Sequence, residues 1–290
     1  MKYKETAGSR VAYTGIILFL SIMGAIALYP FIFTFSNSIS DPMAVMLNQV
    51  RLWPVGFSLS SYKLLVNDSR LWQAYYNTIW YTLVGTGLNL VTTIMGGYAL
   101  SRKNFIIAPV IMVMVTIPMF FNGGMVPSFV VVNALGLYNT RWAIVLPAAV
   151  SSWNLIITRT FFRSTIPDSI PEAAKIDGAN DIQTFIRVVV PVSKAIIAII
   201  ALYAAVSFWN VYFNVILYTY DNKYHPMTVL LRVIIISTQT DWGETGLEAV
   251  LTSIQMKYTA IVVAILPIVC IYPFLQRYFV KGVLIGSIKE

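Results

Sequence analysis

The segment from Asp168 to Pro191 concentrates the polar chemistry of this chain: Asp-Ser-Ile-Pro-Glu-Ala-Ala-Lys-Ile-Asp-Gly-Ala-Asn-Asp-Ile-Gln-Thr-Phe-Ile-Arg-Val-Val-Val-Pro. Charges alternate there with small and apolar residues, a composition suited to gripping another surface. Ser169 followed by Glu172 predicts a capping box, with Pro171 in the first turn, where its missing N–H costs nothing. Ala173, Ala174, Lys175, Ile176 and Asp177 continue the helix to Gly178, which can end it in a left-handed conformation. Asn180 or Asp181 then caps a second helix carrying Ile182, Phe185, Ile186 and Val189, and Pro191 marks the entry to the next element. The spacing predicts a rigid helix–turn–helix over about 164–191. It offers Glu172 and Asp177 as charges, Phe185 as an apolar knob, and Ala173 and Ala174 as room for close approach.

Other chemistry is sparse. His225 is the sole histidine and Cys270 the sole cysteine, so no metal site of several convergent ligands and no internal disulfide is expected. No Gly-x-x-x-x-Gly-Lys-Ser/Thr phosphate loop and no His-Glu-x-x-His motif occurs. The chain is therefore not expected to bind ATP in that manner, nor to be an enzyme itself.

The elements that must position the hairpin are apolar. Of 290 residues 58% are hydrophobic and only 11% charged, against about a quarter charged in soluble domains. Stretches without Asp, Glu, Lys or Arg run over 11–40, 71–101, 104–140, 142–158, 195–220 and 258–276. A helix crossing a bilayer needs roughly 20 residues, so these six runs predict an all-α integral membrane protein with six transmembrane helices, at about 12–35, 74–100, 105–121, 141–160, 192–218 and 258–279. With both termini cytoplasmic, thirteen of the twenty Lys and Arg lie inside and seven outside. The net charge of +8 is thus read as the positive-inside bias that sets orientation, and not as a nucleic-acid surface. Residues 1–290 are taken as one membrane domain.

Asn122-Gly123-Gly124, Pro127 and Gly136 interrupt an apolar stretch. Irregular apolar backbone at that depth must be buried or line a cavity, so 122–140 is expected at the outer mouth of a pathway. Trp153, Asn154, Trp209, Asn210 and Tyr212 could line that pathway for a sugar, with aromatic faces against pyranose rings and amides on hydroxyls; helix–helix packing is the competing reading. Mid-span charges are missing, which argues against an ion-driven secondary transporter. Asp241, Trp242 and Glu244, in the outer segment 219–257, could dock an external protein.

The hairpin sequence resembles a known family. Glu172-Ala173-Ala174, three residues, Gly178, nine residues, Val188, two residues and Pro191 match the cytoplasmic Glu-Ala-Ala loop of the membrane (permease) subunits of bacterial binding-protein-dependent type I ABC importers. The closing Gln276–Gly282 and Gly286-Ser287 resemble the carbohydrate branch, near the maltose-importer permease, and look most like importers of complex oligosaccharides such as alginate or pectin fragments. The resemblance implies a MetI-like fold in the bacterial inner membrane, a second homologous permease, an ATPase homodimer gripping the hairpin, and an extracytoplasmic solute-binding protein. A permease for a non-sugar solute stays open as an alternative.

Overall fold

The structure is a computed structural model. It describes residues 7–121, 123–240 and 247–287, with side chains for 8–121, 123–236 and 251–271. Among the described residues all regular elements are helical. The order is α1 (Ala7–Ser38), α2 (Pro42–Met46), α3 (Ser60–Asn67), α4 (Ser69–Ser101), α5 (Ala108–Phe120), α6 (Met125–Ala134), α7 (Trp142–Val145), α8 (Ser152–Thr165), α9 (Ser169–Ile176), α10 (Asp181–Thr184), a π-helical turn (Phe185–Val189), α11 (Val190–Val192), α12 (Lys194–Trp209), α13 (Phe213–Tyr218), a 3-10 turn (Asn222–Tyr224), α14 (Met227–Thr240) and α15 (Leu247–Ser287).

The expected long spans at 12–35, 74–100 and 258–279 fall inside α1, α4 and α15, the three helices here that are long and apolar enough to cross a membrane alone. The other three expected spans are shorter or broken. The helix expected at 105–121 is α5, 13 residues long, which reaches about 20 Å. The one expected at 141–160 divides into α7 and α8 with irregular backbone over 146–151. Pro147, which removes a helical N–H, lies in that gap. The helix expected at 192–218 divides into α12 and α13 at Asn210–Tyr212. There the Asn210 amide bonds back to Val206 O at 2.8 Å, a local competitor for the helical ladder.

The chain forms two compact units, Met1–Ser69 with Leu231–Pro267, and Arg70–Leu230 with Ile268–Glu290. In the first, the apolar window of α1 is 0% buried by the described residues. The loop after α1 is organised by one side chain. Gln255 is fully buried and its Nε2 donates to Ser40 O at 2.7 Å, Ser38 O at 3.0 Å and Ser58 O at 3.3 Å. Its Oε1 accepts from Ser61 at 2.7 Å and Ser60 at 3.2 Å. One amide thus ties the start of α3 and the end of α1 to α15.

In the second unit α4 is the central post. Small residues let neighbours approach it closely, as membrane helices require. A Cβ on Gly85 would lie 2.6 Å from the Phe208 ring of α12, and one on Gly97 would lie 2.7 Å from Thr158 of α8. Tyr81, Ala143, Ile144, Val145 and Val215 form one buried cluster around the upper part of α4; Ile94, Phe162, Ile166 and Val189 form another near its end.

Gln255→Leu keeps the volume but removes the donor to Ser40 O and Ser58 O and the shared partner of Ser38 O, Ser60 and Ser61, which retain only their contacts to Thr259, Ser58 and Thr252. The melting temperature of the detergent-solubilised protein should fall by the equivalent of about 2 kcal/mol or more. An unchanged value would mean that water already reaches those groups.

Candidate functional site

The hairpin forms where the sequence predicts it, with different caps. Its first helix, α9, turns into the second through Asp177, Gly178 and Ala179. Gly178 has φ +81°. Its N–H bonds Lys175 O at 3.0 Å and the Ala179 N–H bonds Ala174 O at 2.9 Å, the paired bonds of a Schellman turn. The expected Ser169–Glu172 box is not made, because Ser169 already lies inside the helix and Asp168 is the N-cap, without a side-chain cap bond. The box sits on the second helix: Asn180 accepts from Gln183 N at 2.8 Å and the Gln183 side chain accepts from Asn180 N at 3.1 Å. A Lys175–Asp181 ion pair at 3.0 Å spans the turn.

Asp168 has a different task. Its carboxylate meets Lys103 at 2.9 Å and Arg102 at 3.3 Å, clamping the hairpin to the turn after α4. Arg102 also donates to Ile166 O at 3.0 Å and Phe162 O at 3.4 Å, the last carbonyls of α8, and lies 5.1 Å over the Tyr98 ring. The hydrogen bond from Lys103 holds the Asp168 pKa below the ordinary 3.8, with Arg102 adding to it and partial desolvation opposing. The turn Ser101–Asn104 is short, and its length hid this clamp in the sequence.

Glu172, Ala173, Asp177 and Gly178 are exposed and Ala174 is half-buried. Phe185 is not an outward knob. It lies in the π-helical turn and packs against Tyr98, ring centroids 5.4 Å apart. The most exposed large apolar side chains of the hairpin are Ile176, 87% exposed, and Ile182, 70% exposed. Sequence reading treated both as ordinary helix residues; their position beside the glycine turn was the available signal. Pro191 follows the π turn, and the segment Asp181–Val192 meets α12 at 83°.

Of the five expected pathway residues the structure brings Trp153 and Asn154 to one cavity of about 660 Å³, with Asn89, Tyr203, Ser207 and Phe208. Trp209, Asn210 and Tyr212 do not line it. Asn210 ends α12, and Tyr212 packs on the cluster around Tyr81, both consequences of the break between α12 and α13. Asn89, at 2% exposure, donates to Ala148 O and Ala149 O at 3.3 and 3.2 Å and accepts from the Asn154 amide at 3.3 Å. Thr92 adds a bond to Ala149 O at 2.6 Å. The irregular backbone of 146–151 is thereby satisfied from α4.

At the other end of α4, Asn77 donates to Lys223 O at 2.8 Å and His225 O at 3.0 Å and accepts from Arg141 at 3.0 Å. Burial lowers the His225 pKa below 6.5, with a backbone hydrogen bond at Thr219 and the Asp221 charge opposing. Among the described residues no three His, Cys, Asp or Glu side chains converge as a metal site. Asp241, Trp242 and Glu244 lie outside the described residues.

Residues 89–285 match the family described as binding-protein-dependent transport system inner membrane component. The chain is 38% identical over 274 residues to the polygalacturonan/rhamnogalacturonan transport system permease protein YtcP of Bacillus subtilis (strain 168), covering 93% of this chain and 96% of that one. It is 37% identical over 287 residues to protein LplC of the same organism, covering 98% and 97%. A chain from the crystal structure of a bacterial ABC transporter involved in the import of the acidic polysaccharide alginate matches with TM-score 0.88 and 34% identity, over 95% of this chain and 99% of that one.

The clamp carries a pH signature. Because the folded-state pKa of Asp168 is depressed, its stabilisation is complete above the unfolded value and is lost as pH falls through the lower folded value. Hydrogen-exchange protection of Ser169–Ile176, corrected for intrinsic rates, should hold from pH 7 to 5 and fall only below about pH 4. Asp168→Asn should lose that protection already at pH 7; retained protection would show that packing alone holds α9.

Proposed function

Because the chain belongs to the family of binding-protein-dependent transport system inner membrane components, we propose that it is the permease subunit of an ATP-driven oligosaccharide importer. Its cargo is a uronate-bearing fragment of the alginate or pectin kind. The names of YtcP and of the alginate transporter support this, since polygalacturonan and alginate are both polymers of uronic acids. The chain pairs with a second homologous permease. An ATPase homodimer carries ATP and Mg²⁺, and an extracytoplasmic binding protein delivers the sugar, with Asp241, Trp242 and Glu244 in its docking region. Six crossings, both termini inside, comprise α1, α4 and α15 together with three made from shorter or broken helices: α5, α7 with α8, and α12 with its bent entry.

The hairpin carries this reading. It is pinned on one side through Asp168 and closed by a Schellman turn and a capping box. On the other side it exposes Glu172, Ala173, Asp177, Ile176 and Ile182, which nothing in the described chain covers. A mixed apolar and charged tip on a rigid stalk fits a groove on a partner. ATP-driven movement of that partner would then shift the bundle between inward-open and outward-open populations. Glu172 supplies a charge for an ion pair with the ATPase, Ala173 and Ala174 allow close approach, and Gly178 holds a turn that an L side chain enters at about 1–2 kcal/mol.

In the complex reconstituted with its ATPase and binding protein, Glu172→Lys or Gly178→Asp should leave the chain in the membrane. Either change should cut saccharide-stimulated ATP hydrolysis to about a tenth or less, as for a lost charge-assisted contact. Full stimulation in both variants would remove the coupling role.

A further inference from the structure

We propose that Arg141, with the aromatic rings packed around it, holds the phosphate of an anionic phospholipid at the membrane boundary beside α4. The inference concerns the lipid around this membrane chain and stands whatever cargo it moves.

Arg141 precedes α7 and reaches one face of α4. Its Nε and Nη2 both donate to a single oxygen, Asn77 Oδ1, at 3.3 and 3.0 Å. A guanidinium carries five N–H donors, so the others have no acceptor among the described residues. Its Cζ lies over three rings, 5.1 Å from Tyr76 and 5.6 Å from both Trp80 and Tyr224. An amide oxygen and ring faces steady the cation but cancel none of its charge. Among the described residues no carboxylate pairs with it, and Asp221, three residues before Tyr224, is taken by Lys223 at 2.7 Å. A part-buried charge without a counter-charge is costly in apolar surroundings. The arrangement calls for an anion from outside the chain.

The surroundings say which anion. α4 has 33 residues, about 50 Å of helix against a hydrocarbon core about 30 Å thick. Centring it leaves about 10 Å at each end, and Tyr76 lies about that far along the helix from Ser69. Trp and Tyr concentrate at this level of a bilayer. From there Tyr76, Ile79, Trp80 and Leu83 recur at i, i+3, i+4 and i+7 on one helix face. Tyr76 is 54% exposed, Ile79 47% and Leu83 69%. Trp142, 46% exposed, meets Trp80 edge-on at 5.6 Å and widens the strip. An uncompensated cation at the head of an exposed apolar strip matches a phospholipid. The phosphate takes the remaining guanidinium N–H groups, whose fork suits two oxygens, and an acyl chain runs along Ile79 and Leu83. A soluble anion would leave the strip bare.

The test is native mass spectrometry of the detergent-purified complex that contains this chain, titrated with dioleoylphosphatidylglycerol, dioleoylphosphatidylcholine and inorganic phosphate. Phosphatidylglycerol should bind about tenfold more tightly than phosphatidylcholine, and millimolar phosphate should not displace it. Arg141→Gln should weaken phosphatidylglycerol about tenfold, the size of one lost charge-assisted contact, and leave the phosphatidylcholine titration alone. Arg141→Lys should restore most of the affinity. Arg51→Gln removes an exposed cation from the other compact unit and should change nothing; an equal loss there would reduce the effect to net charge and overturn the site. So would wild-type lipid binding by Arg141→Gln, or displacement of the lipid by phosphate, which would make this a free-anion site. Displacement by trigalacturonate would give Arg141 to the cargo and likewise overturn the lipid site. Should Arg141→Gln fail to fold, Leu83→Ala decides, since it trims only exposed surface: phosphatidylglycerol should weaken about threefold, and unchanged affinity overturns the site.

Discussion

Where a chain leaves its helical ladder inside an apolar environment, the freed carbonyls need donors, because no water is at hand to supply them. Among the described residues this requirement organises several irregular stretches. Asn89 and Thr92 serve Ala148 and Ala149; Asn77 and Tyr81 serve Lys223, His225 and Tyr224. Thr228 serves Val211 at the break between α12 and α13. Gln255 serves the loop after α1, and Arg102 the end of α8. Six of these seven donors carry no charge, and five of the six lie on the long helices α4 and α15. An uncharged amide is inexpensive to bury, supplies two donors and one acceptor oxygen, and adds no fixed charge.

The hairpin obeys the same requirement with charges, as a segment at an aqueous boundary can. Its orphan backbone groups are closed locally, at Gly178 by the Schellman pair and at Asn180 by the capping box. At the start of α9 the Asp168 side chain makes no cap bond and instead pairs with Lys103 and Arg102. The exposed ion pairs contribute little energy individually. Their value here is positional, since Arg102 simultaneously fixes α8, the turn after α4 and the start of α9.

Sequence reading recovered the features with strong local chemistry: the three long apolar helices, the glycine turn, and the hairpin within about 164–191. It missed features decided by tertiary partners. Whether Ser169 or Asp168 caps α9 depends on lysine and arginine 66 residues or so upstream, and whether Phe185 points out depends on a π turn that no composition announces. Pro147 was a legible breaker that an uncharged run of adequate length overshadowed. The break at Asn210 had no Pro or Gly to mark it. Trp153 and Asn154 share the cavity while Trp209 and Asn210 do not, although the two pairs look alike in sequence. The difference is that Asn154 lies within reach of Asn89 and Asn210 bonds its own helix.

Geometry also links the hairpin to the cavity. α4 and α8 are joined at three levels: by Asn89 and Asn154, by the close contact of Gly97 with Thr158, and by Arg102 with the end of α8. The second and third levels lie 8 and 13 residues from the first on the α4 side and 4 and 12 residues from it on the α8 side, so the pair behaves as one stiff plank. The hairpin is bound to this plank at its first end through Asp168. Its second end runs through the π turn and the 83° bend into α12, whose residues Leu202–Phe208 form the opposite wall of the cavity. A π turn and a sharp bend are the segments of a helix most able to absorb dihedral change. Under the proposed function, a partner pulling on Ile176, Ile182 and Glu172 would therefore move α12 against the plank. The cavity would widen or narrow while the Asn89–Asn154 bond stays anchored in the plank.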